Sequence, residues 1–306
     1  MLKIFMVKAA KGIKCFTGLH QYLQEHQGLT HSIFHSSKIP SLATISRYYE
    51  KIPEDLLNQL LLEIPRKFFQ ENNSIFEDIV MDGVDTATFG NRAKKTDSEA
   101  SWLIKNTAPP CYGYRTICMV STRTHFILGS YTHGRLIAED KMAIKLIQST
   151  NFVTPPNSAF ILGDARYDQK NVYSIIDQLP GLIPLIDYNP RGSQFKRFRD
   201  LPPENWRNDL FPFTFILWEP LLKILRPRVE SPFGILKEIG TLRRSNVMGL
   251  AKNRKHILFN FLFYNLAIYA SSQPIIPRKT LLDYLLVDIS FKTTASIEKS
   301  YVTRSK

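Results

Sequence analysis

Ile75-Phe-Glu-Asp-Ile-Val-Met-Asp82 is a run of β-forming residues closed by an aspartate, and Ala159-Phe-Ile-Leu-Gly-Asp164 repeats that design later in the chain. Short apolar runs rich in β-branched and aromatic residues predict strands. Between them, Tyr114 to Val120 and Phe126 to Tyr131 read as two further strands, and Leu136 to Ser149 carries helical spacing. A helix over Gln169 to Leu179 and a strand at Leu182 to Ile186 follow. The order strand, strand, strand, helix, strand, helix, strand predicts a mixed α/β sheet flanked by helices. Laying the first strand beside the fourth would bring Asp82 and Asp164, each expected at a strand end, to one edge. There the sheet fixes the roots of loops that are free to vary.

Residues 1–70, upstream of this body, read as a small helical region. Pro40-Ser41 precedes Leu42-Ala-Thr-Ile-Ser-Arg-Tyr-Tyr49 as a helix start, and after Pro53-Glu-Asp the residues Leu56, Leu57, Leu60, Leu61 and Ile64 fall on one helical face. Two uses are open for this region. It is a packing and dimerisation module, or a helix-turn-helix-like DNA reader with Thr44, Ser46 and Arg47 exposed. Residues 71–271 make up the α/β body, and residues 272–306 a C-terminal extension, polar and partly disordered beyond about Phe291. The most apolar stretch, Ile257 to Ala270, carries Asn260 and Asn265 and is shorter than the roughly 20 residues of a membrane helix. A buried helix is the expectation.

The 306 residues carry a formal net charge of +13, with a pI near 9.6. A few carboxylates set in so basic a chain suggest divalent-metal chemistry on a polyanion, because positive charge meets phosphates and releases their counterions. Two-metal phosphoryl transfer needs carboxylates that hold Mg²⁺ or Mn²⁺ about 4 Å apart. Cys15, Cys111 and Cys118 include no Cys-x2-Cys pair, so neither a disulfide framework nor a structural zinc site is indicated. Lys8 closes the apolar N-terminal run too early for a secretory signal. A cytoplasmic, nucleoid-associated protein is expected. His20, His26, His31 and His35 lack acidic or cysteine partners at ligand spacing and read as ordinary surface histidines.

The remaining acid is Glu230, in Arg226-x3-Glu230-x6-Lys237. On one continuous helix, at 100° per residue, Glu230 and Lys237 fall about 40° and 20° from Arg226, so all three face one way. The bland alternative is an i, i+4 surface pair with an unrelated lysine. Pro227 and Pro232 argue for a kink at Pro232, or for a second helix start with Ser231 as its cap. Asp85 and Asp168 compete with the proposed ligands. Asp85 should point to the sheet face opposite Asp82, and Asp168 should cap a helix start.

Five blocks in order give a resemblance to insertion-sequence DDE transposases: Met81-Asp-Gly-Val-Asp-Thr86, Asp97-Ser-Glu-Ala100, Tyr112-Gly-Tyr-Arg115, Gly163-Asp-Ala-Arg-Tyr-Asp168 and Arg226-Pro-Arg-Val-Glu-Ser-Pro-Phe-Gly-Ile-Leu-Lys237. The ordered match runs over residues 75–270. The resemblance implies an RNase H-like core with Asp82, Asp164 and Glu230 as catalytic residues and as ligands of two Mg²⁺ or Mn²⁺ ions. It also implies DNA contacts from Arg226 and Lys237 of the Tyr-x2-Arg-x3-Glu-x6-Lys signature. Lys223 replaces the signature tyrosine, so a phosphate grip stands where a ring would stack. Basic residues outside the signature, Arg191, Lys196, Arg197 and Arg199 in one loop and Arg243 and Arg244 in another, are expected to meet DNA as well. The function implied is cutting element ends and joining them to target DNA, with double-stranded DNA as partner and a homodimer on it. A nuclease without strand transfer and an inactive DNA-binding derivative are the alternatives. Only 65 residues, 165 to 229, separate the second acid from the third, which leaves little room for a large inserted β-domain.

Overall fold

The computed structural model describes residues 2–34, 38–72, 78–89, 96–105, 108–134, 137–150, 159–179, 181–191, 193–195, 200–202, 204–207, 215–238 and 240–272. Five helices come first: α1 (Leu2–Ala10), α2 (Phe16–Glu25), α3 (Gln27–Phe34), α4 (Leu42–Lys51) and α5 (Glu54–Glu71). Ser41 caps α4 as its sequence predicts, its side chain accepting from the Thr44 amide. On α5, Leu57 and Leu61 are buried and Leu60 and Ile64 pack beside them, whereas Leu56 is exposed.

The sheet has six strands: β1 (Ile79–Ala87), β2 (Ser101–Lys105), β3 (Ala108–Ser121), β4 (Ile127–His133), β5 (Ala159–Gly163) and β6 (Leu182–Ile186). Helix α6 (Glu139–Ser149) precedes β5, and α7 (Lys170–Asp177) joins β5 to β6. The order is β2-β3-β1-β5-β6, with β4 also on β3. β1 runs antiparallel to β3 and parallel to β5, and β5 parallel to β6. The mixed sheet and the neighbouring first and second acid strands follow the sequence reading.

β2 was not predicted, and β3 begins six residues earlier than expected, at Ala108. Pro109 and Pro110 at that end hide a strand from propensity rules. Asp82 also lies within β1 rather than at its end, because Gly83 to Ala87 continue the ladder with Ile117 to Gly113 of β3. The parallel ladder with β5, however, has its last pair at Val80 and Leu162. Asp82 therefore sits where β1 parts from β5.

Alternation along the strands separates two apolar clusters. Val80, Val84, Cys118, Leu162 and Leu185 face one side, in a cluster that continues through Ile4, Phe5, Ile45, Leu57 and Leu61 of the N-terminal helices. Ile79, Met81, Ile117, Met119 and Ile161 face the other, with Met142, Leu146, Val172 and Ile176 of α6 and α7. Among the described residues, the helical segments after β6 include α8 (Phe215–Leu225), a 3-10 turn (Arg226–Val229) leading into α9 (Glu230–Glu238), and α10 (Leu250–Ser272). Ile257 to Tyr264 of α10 are all buried, as expected of a helix within a core. No described helix is long and apolar enough to cross a membrane.

Candidate active site

The register aligns the acids. Val80, Leu162 and Leu185 are partners across β1, β5 and β6. Two residues on, Asp82 lies in β1 while Asp164 and Asp187 follow β5 and β6 at once, so the three acids leave the same end of neighbouring parallel strands. Even spacing also turns Asp82 toward the face of Val80 and Val84, which Leu222 of α8 and Phe233 and Leu236 of α9 cover. Asp187 was not anticipated; only the β5–β6 register reveals it.

Asp82 Oδ1 accepts the Gly83 amide at 2.7 Å. Directly across the ladder lies Cys118, whose thiol is pushed well above its usual range by burial and then by the Asp82 charge. Asp164 follows β5 at once. Its Oδ1 accepts the Arg166 amide at 2.9 Å, while Oδ2 lies 3.8 Å from Arg166 Nε and 3.9 Å from Arg226 Nη2. The Asp187 carboxyl is raised by burial, and Asp164 and Asp168 raise it further against the lowering charge of Arg226.

The third acid departs from the single-helix expectation. The break comes at Arg226–Val229, before Pro232, and Glu230 itself opens α9. Pro232 fits in the first turn of α9 because amides there need no intrahelical acceptor. At three residues per turn, the 3-10 segment offsets Arg226 from Glu230 by about 120° rather than 40°. Glu230 and Lys237 keep a common face, but Arg226 turns onto Asp164. The 3-10 turn packs on β1, and the exposed Glu230 follows it at once. Among the described residues, no three acidic, histidine or cysteine side chains stand close enough together to hold a cation.

Of the proposed DNA contacts, Lys223 lies in the last turn of α8 and is exposed, and Lys237 lies in the last turn of α9. Arg243 and Arg244 are exposed on a segment that docks by backbone to the far end of β1, with the Ala87 amide donating to Arg243 O and the Ser245 amide to Ala87 O. Five residues of strand place that docking about 16 Å from Asp82. Arg197, with Lys196 and Arg199, lies outside the described residues.

Asp85 points away from Asp82, as expected, and takes a bidentate pair from Arg115 at 2.8 and 3.1 Å. Asp168 does not cap α7, whose N-cap is Gln169. Its buried carboxylate instead accepts both Arg207 Nε and Nη2 at 2.8 Å, the Tyr173 hydroxyl at 3.1 Å and the Asn189 amide at 2.8 Å. Asp97 plays a similar part. It accepts the Tyr114 and Thr88 hydroxyls and the Gly249 amide, and the Tyr112 hydroxyl donates to its carbonyl. Two sequence blocks, Asp97-Ser-Glu-Ala100 and Tyr112-Gly-Tyr-Arg115, are thus bonded to each other. Glu99 accepts the Leu250 amide at the start of α10. Gly113 admits no side chain, because a Cβ there would meet Thr86 O at 2.1 Å.

The family model for the transposase DDE domain matches residues 76–266. No curated protein matches the chain. Among solved structures, a piggyBac transposase synaptic complex with hairpin DNA is 8% identical at a TM-score of 0.51, covering 93% of this chain and 68% of that one. At that identity the likeness concerns the fold alone. A Mos1 transposase paired-end complex with the left transposon end is 10% identical over 71% of this chain and 78% of that one, but at a TM-score of 0.22 it carries no argument.

Proposed function

Because the chain belongs to the transposase DDE-domain family it is a metal-dependent DNA transposase, and we propose that Asp82, Asp164 and Glu230 are its catalytic carboxylates, serving two Mg²⁺ or Mn²⁺ ions. The observation that carries this is the place of Asp82 and Asp164 at the same end of the neighbouring parallel strands β1 and β5, each two residues past their last paired positions, with Arg226 of the third-acid segment turned onto Asp164. The donor set fits a hard divalent cation, since carboxylate oxygens are its preferred ligands. When bound, such ions supply Lewis-acid stabilisation of the reacting phosphate and a water or 3′-hydroxyl activated at neutral pH.

The chain's own residues do the rest. Arg226 and Lys237 flank the site with positive charge, holding the scissile strand by its phosphates. Lys223 and the exposed Arg243 and Arg244 extend that grip along the duplex, and Arg197 adds its charge to it. Cutting at an element end exposes a 3′-hydroxyl, which attacks target DNA in the same site. Two copies of the chain, each bringing one end, form the working assembly on DNA. The protein acts in the cytoplasm, at the nucleoid.

Incubating labelled element ends with a plasmid and Mg²⁺ tests this reading. Joined products are expected; cuts without joining would favour a nuclease. Glu230→Gln should abolish cleavage while leaving end binding largely intact, and retained cleavage would remove Glu230 from the site.

A further inference from the structure

Six charged groups form an alternating chain through the site: Asp85, Arg115, Glu139, Arg166, Asp164 and Arg226. Arg115 holds Asp85 through two hydrogen bonds and reaches Glu139 Oε1 with Nη1 at 2.5 Å. Arg166 Nη1 meets the same oxygen at 2.5 Å. Arg166 then reaches Asp164 with its amide and, more loosely, with its guanidinium, and Arg226 closes the series on Asp164 Oδ2. The middle is buried: the Glu139 side chain is 9% exposed and Arg115 14%, whereas Arg166 is 52% exposed.

We propose that Glu139 is a positioning residue for Asp164, acting through Arg166; this rests on the reading of Asp164 as a metal ligand. Glu139 opens α6 on one side of the sheet, and a Cβ on Gly83, the residue after Asp82, would lie 3.7 Å from its Oε2. It is thus fixed to β1 from beneath, by proximity and through Arg115 and Asp85. The backbone of the Asp164 turn is closed by the Tyr167 amide, which donates to Asp164 O at 3.0 Å. Its carboxylate accepts the Arg166 amide and faces the Arg166 and Arg226 guanidinium groups at 3.8 and 3.9 Å, and of these two guanidinium groups Arg166 is the one that Glu139 holds. A carboxylate ligand held by a fixed partner binds a cation with less reorganisation, which is how groups behind a metal's ligands set its affinity. Tyr167 shows how closely this underside is packed. It is fully buried, a Cβ on Gly163 would meet its Cδ2 at 2.9 Å, and its hydroxyl has no hydrogen-bond partner among the described residues.

The test is a double-mutant cycle read by Mn²⁺ titration calorimetry on the full chain. Glu139→Gln and Arg166→Gln should each weaken Mn²⁺ binding by about tenfold, and the pair together by no more than either alone, because both break one link. Arg166→Gln, at an exposed side chain, keeps the test open if Glu139→Gln folds poorly. Unchanged Mn²⁺ affinity in Arg166→Gln, or losses that multiply in the double variant, would overturn the proposal while Asp164→Asn still abolished binding. A parent chain that bound no Mn²⁺, or bound it equally with Asp164→Asn, would overturn the metal-ligand reading and this inference with it.

Discussion

Asp164 and Asp168 lie one turn of sequence apart in the same block, yet their carboxylates are in opposite situations. Asp168 is completely enclosed, with both oxygens engaged by Arg207, Tyr173 and the Asn189 amide. Asp164 retains 18% of its side-chain exposure, and its guanidinium neighbours stand at 3.8 and 3.9 Å. An acid whose lone pairs are all occupied by close donors is a structural anchor; one whose guanidinium neighbours stand at longer range keeps lone pairs for a ligand. Engagement, not residue type or position in a motif, separates the two roles.

The largest expected effects come from exchanging these roles. Asp164→Asn should reduce strand cleavage to background while moving the urea midpoint little, since its ion pairs are long and partly solvated. Asp168→Asn should do the reverse. It leaves the Arg207 guanidinium without its charge partner and costs about 3–5 kcal/mol of stability, read from chemical denaturation. If Asp168→Asn unfolds no more easily than the parent, the distinction fails.

A second prediction concerns a buried group that stays neutral. His256 of α10 is enclosed, with Nε2 donating to Thr241 O at 2.9 Å, and burial followed by the nearby Lys8 charge lowers its pKa to about 3. Lys8 and Tyr49 are the titratable groups facing it in this apolar corner, and burial lowers Lys8 itself to about 8. Unfolded histidine titrates near 6.5, so below that pH the unfolded chain takes a proton that the native chain refuses. The contribution is therefore full above about 6.5 and falls toward pH 3, by on the order of a few kcal/mol. Unfolding free energies at pH 7 and pH 5 should differ less in His256→Gln than in the parent, and equal slopes would count against the assignment.

Asp97 makes the next comparison, as an anchor whose importance the sequence conceals. Asp97→Asn should cost about 1–3 kcal/mol, because the Tyr114 and Thr88 hydroxyls and the Gly249 amide converge on two oxygens and an amide nitrogen cannot accept. Cleavage per folded molecule should persist, in contrast to Asp164→Asn.

These anchors mark the limit of what the sequence makes legible. Strands β5 and β6 read directly, because each is a compact apolar run beside a turn, whereas β1 read only in part, since it runs on past Asp82 to Ala87. Arg207 could not be matched to Asp168 across 39 residues, nor Tyr114 to Asp97, since no periodicity encodes such pairings. Asp187 needed a register, and β2 needed its partner. At the third acid, Pro227 and Pro232 signalled a break, but whether the chain would restart at Glu230 or at Ser231 depends on packing against β1. The angular argument failed for Arg226 alone, and in failing it brought that arginine to Asp164.

The smallest effects should come from charge that remains at the surface. Arg243 and Arg244 dock by their backbones while their side chains stay exposed, so replacing either with alanine should leave the fold and the acids undisturbed. If each meets one phosphate, the slope of log affinity against log salt concentration becomes less negative by about 0.9 per substitution. The loss should be equal for element ends and for unrelated duplexes, because a phosphate contact carries no sequence information. A slope that does not change would place DNA elsewhere on the molecule; a loss confined to element ends would make these arginines base readers instead of backbone contacts.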